Sequence, residues 1–363
     1  MSRPILRVGL LGTGLMAQEH LRNLALQQDA EVVALSDPTP SSLEWAKNTL
    51  GSKATGVQTY ADGPSMLAGS KPDAVIVSSP NYTHHDVLIP LIEAGVHILC
   101  EKPLCTTLDD AKATVDRTSK HDGVFWVGME YRYMPPVSAF IDRISNGDIG
   151  RLVMLAIREH RFPFLPKVGD WNRFSANTGG TMVEKCCHFF DLMRVITASE
   201  PVRVFCSGAM DVNHQDERYN GAKPDIIDNA YSVVDFANGT RAHLDLCMFA
   251  EGAHNQEEIV AVGDKAKLEV LIPDGDLIHS PRVPWGAEKP ITRTHVETPA
   301  EALAAGHHHG ATYFQQEAFL RAVRGEGPVV VTAEDGLRAV AMGLAAEISA
   351  REHRVVSLAE LGL

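Results

Sequence analysis

The chain contains no run of about 18 consecutive apolar residues, the length needed to cross a bilayer. Its opening, MSRPILRVGLLG, lacks the basic n-region, long apolar stretch and small-residue cleavage site of a secretory leader. Cysteine is sparse: the six, at 100, 105, 186, 187, 206 and 247, show no CxxC spacing. In a chain this long they predict reduced, mostly buried thiols rather than a disulfide framework. Positive charge is also short, with 33 Lys and Arg against 46 Asp and Glu and a net charge of -13. Such a field repels phosphate, which argues against a general nucleic-acid or anionic-membrane partner. A cytoplasmic protein is the expectation. The apolar share of 45% excludes a disordered chain, and 363 residues suit two domains.

Short apolar runs bounded by turn residues alternate with helical patterns through residue 128. ILRVGLL (5–11), EVVALSD (31–37), DAVIVSS (73–79), HILC (97–100) and VFWVG (124–128) read as strands. Helices are expected at about 15–28, 41–50, 85–95 and 108–120. This alternation predicts a doubly wound parallel sheet. Beyond it, after a helix at about 136–146, strand-like runs dominate, with helices at about 181–197, 312–324 and 333–350. A large, mostly antiparallel, open-faced sheet in an α+β domain is expected. The predicted domains are 1–128 and 129–363, the last helix packing back on the first domain. The Pro-rich segment 273–300 reads as a long surface loop, and Glu257 and Glu258 as a solvated strand edge.

Gly12-Thr13-Gly14-Leu15-Met16-Ala17 follows the first strand in the pattern GxGxxA. The first glycine permits a tight turn, the second lets a pyrophosphate approach the backbone, and the small third residue lets the helix pack closely. Asp37 ends the second strand 23 residues beyond Gly14, where a carboxylate meets the adenosine ribose hydroxyls. The following Pro38-Thr39-Pro40-Ser41-Ser42 holds no Arg or Lys for a 2′-phosphate, so NAD is favoured over NADP. SSPNYTHH (78–85) and Cys100-Glu101-Lys102-Pro103 each follow a parallel strand at its carboxyl end, where ligands of such sheets bind. Ser79, Pro80, Asn81, His84, Glu101 and Lys102 are therefore candidate cofactor contacts.

In this order the motifs resemble the glucose–fructose oxidoreductase, inositol dehydrogenase and MocA (Gfo/Idh/MocA) family. VGMEYRYMPP (127–136), GGTMVEKCCHFFDL (179–192) and HGATYFQQEAF (309–319) extend the similarity over nearly the whole chain. The resemblance implies a Rossmann domain followed by a substrate-binding α/β domain, and NAD(P)-dependent oxidation of sugars or cyclic polyols. It puts Lys102 between nicotinamide and substrate, either polarising the hydroxyl oxygen or acting as a base. A Lys102–Pro103 cis bond is an open alternative. The family's Asp and His, four residues apart behind a double glycine, correspond to Glu184 and His188. On one helix that spacing places both on one face, so the carboxylate orients an imidazole that accepts the hydroxyl proton. The chain departs from the family with Glu184 for Asp, and with Lys185 and Cys186 where an apolar residue and glycine are usual. Lys185 is thus a second candidate acid or base. Cys186 and Cys187 read as small buried thiols, since adjacent cysteines chelate zinc poorly.

Arg158, His160, Arg161, Lys167 and Arg173 face only Glu159 and Asp170 in segment 158–173. They predict either a solvated loop or a pocket for a carboxylate or sulfonate. Relatives often carry a Trp-Arg pair where this chain has Trp171-Asn172-Arg173, so Trp171 and Arg173 are candidates for cofactor or sugar contact. Tyr131 and Tyr133, flanking Arg132, are expected to line the same cleft. Of His307, His308 and His309, consecutive residues seldom converge on one ion, and His309 is taken as the substrate contact. No metal is expected. These features predict an NAD-dependent dehydrogenase of a sugar, glycoside or cyclic polyol. The alternatives are an NAD-dependent glycoside hydrolase working by transient C3 oxidation, on a sulfonated (sulfoquinovoside-like) or carboxylated glycoside, and a non-catalytic NAD sensor. The open sheet face predicts a homodimer or homotetramer.

Overall fold

The computed structural model describes residues 4–363. It divides into two compact units. The first runs through Glu130 and adds Lys167–Trp171 and Pro299–Val340, and the second holds Tyr131–Pro166, Asn172–Thr298 and Ala341–Leu363.

The first unit alternates β1 (Leu6–Leu11), α1 (Leu15–Leu24), β2 (Ala30–Ser36), α2 (Pro40–Leu50), β3 (Gln58–Tyr60), α3 (Gly63–Ser70), β4 (Ala74–Val77), α4 (His84–Glu93), β5 (His97–Cys100), α5 (Leu108–Thr118) and β6 (Phe125–Val127). The strands pair in parallel in the order β3-β2-β1-β4-β5-β6, so the chain reverses direction across the sheet between β1 and β4. β4, Ala-Val-Ile-Val, is wholly buried, as a strand covered on both faces must be. β3 and α3 were not predicted: Gln-Thr-Tyr is short and polar, and Gly63-Pro64-Ser65 reads as a turn. Asp62 nevertheless caps α3 by accepting from the Ser65 amide. α1 stops at Leu24 rather than 28, as Leu26 and Gln27 bond three residues back in a tightened last turn.

The second unit begins with α6 (Pro135–Ser145) and β7 (Leu152–His160), then the short α7 (Ser175–Thr178) and α8 (Thr181–Glu184), and α9 (Cys187–Thr197). β8 (Pro201–Ala209), β9 (Asn229–Phe236), β10 (Arg241–Cys247), β11 (Glu257–Gly263), β12 (Ala266–Ile272), β13 (Asp276–Pro281) and β14 (Thr292–His295) follow. α10 (Ala300–Ala305) and α11 (Ala311–Val323) lead to α12 (Ala333–Glu352) and β15 (Val356–Ser357). The nine-stranded sheet runs β14-β13-β12-β11-β7-β10-β9-β8-β15 and is antiparallel except where β7 meets β10. α6 and α9 pack against its inner face.

Three expectations need correction here. Segment 273–300 is not one loop, because β13 and β14 form a hairpin within it. Glu257 is not a solvated edge: β11 lies between β7 and β12, and Glu257 is buried. α10 and α11, expected in the second domain, belong to the first unit. Both pack on α1, and Phe319 of α11 meets Trp126 of β6 edge-to-face.

Candidate active site

The glycine turn, the β4–α4 loop and the loop after β5 all leave the carboxyl ends of parallel strands. Gly12 has φ +86°, and a Cβ there would lie 2.4 Å from the Ser79 amide nitrogen. The turn therefore rests directly on the β4–α4 loop. Gly14 differs, because no atom lies within 4 Å of where its Cβ would stand. α1 starts beside that space with no side-chain cap and no acidic residue in its first turn. Its free amides and dipole suit an anion. Leu15 is exposed and Met16 half-buried at this helix start. Asp37 Oδ2 accepts from the Thr13 amide at 2.8 Å and the Thr13 hydroxyl at 3.1 Å. Its Oδ1 accepts from the Thr39 amide at 2.8 Å. The carboxylate is thus held beside the turn with lone pairs to spare, which fits an adenosine ribose.

Around this turn the predicted contacts separate. Ser79 and Pro80 are half-buried, and Asn81 is buried. His84, expected at the cofactor, is fully buried; its ring nitrogens lie 2.8 Å from the Pro103 carbonyl and 3.1 Å from the Ser79 carbonyl. It ties the two loops together, and burial lowers its pKa. Glu101 also turns inward, with Oε1 2.8 Å from His20 Nε2 and Oε2 accepting from the Lys102 amide. Burial opposes both charges, but the pair's mutual hydrogen bond and attraction outweigh it, lowering Glu101 and raising His20. Gln316 holds the other face of His20 at 2.9 Å. Half-buried Lys102 follows, joined to Pro103 by a cis peptide. Trp171 meets Tyr82 edge-to-face at 5.9 Å, and the Lys167 ammonium lies over the indole at 4.5 Å.

In the second unit Gly179 and Gly180 take φ values of +79° and +92° and turn the chain into α8. Glu184 ends α8 and His188 lies in the first turn of α9, so the single helix expected over 181–197 is broken at Lys185-Cys186. The Cys186 amide bonds five residues back, to Thr181. The one-face argument for Glu184 and His188 therefore fails, since it required an unbroken helix. His188 is 2% exposed, and its ring stacks on Tyr131 at 4.1 Å and 8°. Tyr131, expected against substrate, is itself 2% exposed and supports His188. The Tyr131 hydroxyl accepts from Lys185, whose ammonium also lies 2.9 Å from Glu159 Oε1. Burial, then the charge of Arg161, lowers the Lys185 pKa. Glu257 shares this pocket, where burial and Glu159 push its carboxyl up to about 8. Glu159 and Glu257 were missed as site residues. The alternation of β7 was the available signal for Glu159, as it places Glu159 opposite in face to Arg158 and His160.

That same alternation dismantles the expected basic pocket. Arg158 projects on the outer face, 3.3 Å from Asp245 and 3.2 Å from Glu258, and His160 is 3.1 Å from Asp245. Arg161 Nη1 is 3.5 Å from Glu159, and buried Arg173 is 3.1 Å from Glu217. Each carboxylate except Glu159 comes from a segment distant in sequence. Half-buried Tyr133 has its hydroxyl pushed up by burial. Half-buried His309 lies in the loop before α11, at φ +52°.

A doubly wound sheet with a glycine turn, an unblocked helix N-terminus and a held carboxylate at one end is a dinucleotide-binding domain. The family model "Oxidoreductase family, NAD-binding Rossmann fold" matches residues 6–129, and "Oxidoreductase family, C-terminal alpha/beta domain" matches 141–358. The chain belongs to this Gfo/Idh/MocA family and is an NAD-dependent oxidoreductase. It is 27% identical over 364 residues to myo-inositol 2-dehydrogenase of Thermotoga maritima, covering 98% of this chain and 99% of that one. It is 25% identical over 275 residues to D-glucoside 3-dehydrogenase of Escherichia coli, covering 73% and 77%. Levoglucosan dehydrogenase, solved with NADH and levoglucosan, shares the fold at TM-score 0.83 and 20% identity, over 97% of this chain and 99% of that one. Among the described residues no helix is long and apolar enough to cross a membrane.

Proposed function

We propose that the protein oxidises a secondary hydroxyl of a sugar, glycoside or cyclic polyol. The observation that carries this reading is Lys102, which leaves β5 at the same end of the sheet as the glycine turn. Bound NAD supplies the hydride acceptor. The Lys102 ammonium donates to the substrate oxygen and stabilises its developing negative charge. His188 accepts the hydroxyl proton, and the Tyr131 stack holds its plane. Lys185 keeps Tyr131 in place from below. Gly12, Gly14, Asp37 and the Ser79–Asn81 loop cradle the cofactor, and Trp171 flanks it.

Named relatives act on an inositol and on a glucoside, which supports a polyhydroxylated substrate. The ion pairs of Arg158, Arg161 and Arg173 support an uncharged one over a sulfonate or carboxylate. The test follows NADH absorbance and aglycone release while inositols, free sugars and aryl glycosides are offered with NAD. Stoichiometric NADH without aglycone release is expected. Lys102→Ala and His188→Asn should each lower kcat/KM by about 10²–10⁴ while NAD binding survives. Aglycone released over many turnovers on trace NAD would make the protein a redox-neutral glycosidase. NAD binding without turnover of any substrate would make it a sensor.

A further inference from the structure

Inside the first unit, three ligand-type side chains meet at a place the chemistry above does not use. Glu19 comes from α1, Glu130 from the turn after β6, and His308 from the loop before α11. One ligand atom of each lies within 4.8 Å of the others. His308 Nδ1 is 2.9 Å from Glu19 Oε1 and 3.6 Å from Glu130 Oε1. Donors about 2.0–2.2 Å from an ion stand roughly 3.0 Å apart at octahedral and roughly 3.4 Å apart at tetrahedral angles, so the separations of 2.9 and 3.6 Å lie near such edges.

Glu130 is wholly buried, and its Oε1 has no hydrogen-bond partner among the described residues. A buried carboxylate oxygen without a donor is costly, and this one faces His308. Its other oxygen does little better. The Thr312 hydroxyl lies 2.5 Å from Glu130 Oε2 and 2.8 Å from Glu19 Oε1, but it has one proton for the two. The two carboxylates therefore call for a positive charge beside them, from a protonated His308 or from a bound cation.

We propose that Glu19, Glu130 and His308 bind a first-row divalent transition-metal ion. Two carboxylates balance its charge, and the imidazole selects zinc or manganese chemistry over calcium, which takes six to eight oxygens. The ion joins the helix that starts at the nucleotide turn to the loop leading into α11. His308, 23% exposed at its side chain, gives it a way in.

The full-length protein, stripped with a chelator, is titrated calorimetrically with Zn²⁺ and separately with Mn²⁺, and its thermal midpoint is read with and without each. One ion per chain and a raised midpoint are expected with at least one of the two metals. Glu130→Gln keeps the side chain's size but removes a charge. It should weaken binding at least tenfold and spare the midpoint of the metal-free protein. His308→Ala, on the surface-accessible member, should weaken binding comparably, and His307→Ala should not. No binding of either metal at millimolar concentration overturns the proposal and leaves a protonated His308 beside the acid pair. Binding that survives both Glu130→Gln and His308→Ala overturns it too, since the ion then sits elsewhere.

Discussion

Gly12 and Gly14 stand two residues apart in one motif, yet they meet opposite surroundings. A methyl group at Gly12 runs into the Ser79 backbone, and its φ of +86° is costly for any L-residue. Gly12→Ala should therefore lower the thermal midpoint of the NAD-free protein. Gly14 has an ordinary φ of -73° and open space where a side chain would grow. Gly14→Ala should leave the NAD-free midpoint unchanged, weaken NAD binding at least tenfold and raise its KM. Equal loss of stability in the two variants would refute this division. The motif itself was legible from spacing, but the division was not, since it depends on the β4–α4 loop lying against one glycine and not the other. The same limit applies to charge. Arg158 and Arg173 look like parts of an anion site in a window of sixteen residues, and their neutralising partners Asp245, Glu258 and Glu217 lie far outside that window.

At the scale of elements, the break between α8 and α9 decides how the proposed proton acceptor is carried. Gly180 makes the turn, and Glu347 of α12 fills the space beside it and accepts from the Met182 amide at 2.9 Å. Burial pushes the Glu347 carboxyl up to about 7, from 4.5. Its folded pKa is raised, so the folded state favours the protonated form. No penalty exists below about pH 4.5, and stability declines as pH rises from there through about 7. At about 1.4 kcal/mol per pKa unit, the decline totals about 2–4 kcal/mol. Glu257, pushed to about 8, acts in the same direction. Thermal midpoints recorded from acidic to mildly alkaline pH should fall toward the alkaline end in the wild type. They should fall less in Glu347→Gln, which keeps the acceptor for Met182. Parallel profiles for the two proteins would refute the assignment. Element type was readable along most of the chain from apolar period, but this helix break was not. Lys185 and Cys186 carry no Pro or Gly signal; at the break the Cys186 amide bonds five residues back to Thr181, and Lys185 is buried against Glu159 and Tyr131.

For the whole molecule, the outer face of the nine-stranded sheet exposes Phe205 (42%), Val233 (44%), Tyr231 (65%) and Met154 (56%). Phe205 pairs with Val233 across β8 and β9, which makes them one patch. Contiguous apolar surface of this kind favours a second copy, so we expect a homo-oligomer through this face. Light scattering should report a dimer or tetramer for the wild type and a smaller species for Tyr231→Asp with Phe205→Asp, at an unchanged midpoint for the monomeric fold. A monomeric wild type would remove the proposal. By itself, the sequence determined the NAD-binding domain, the two sheet types and the positions of the motif residues Gly12, Gly14 and Asp37. Those features rest on local spacing, on apolar period and on turn chemistry, which act over a few residues. Only the tertiary structure decided that Glu101 and His84 turn inward, that Tyr131 supports His188, that the basic segment is neutralised, and that Glu19, Glu130 and His308 converge. Each of these rests on burial and on charge partners up to 289 residues apart, and desolvation and Coulomb terms depend on distance in space, not along the chain.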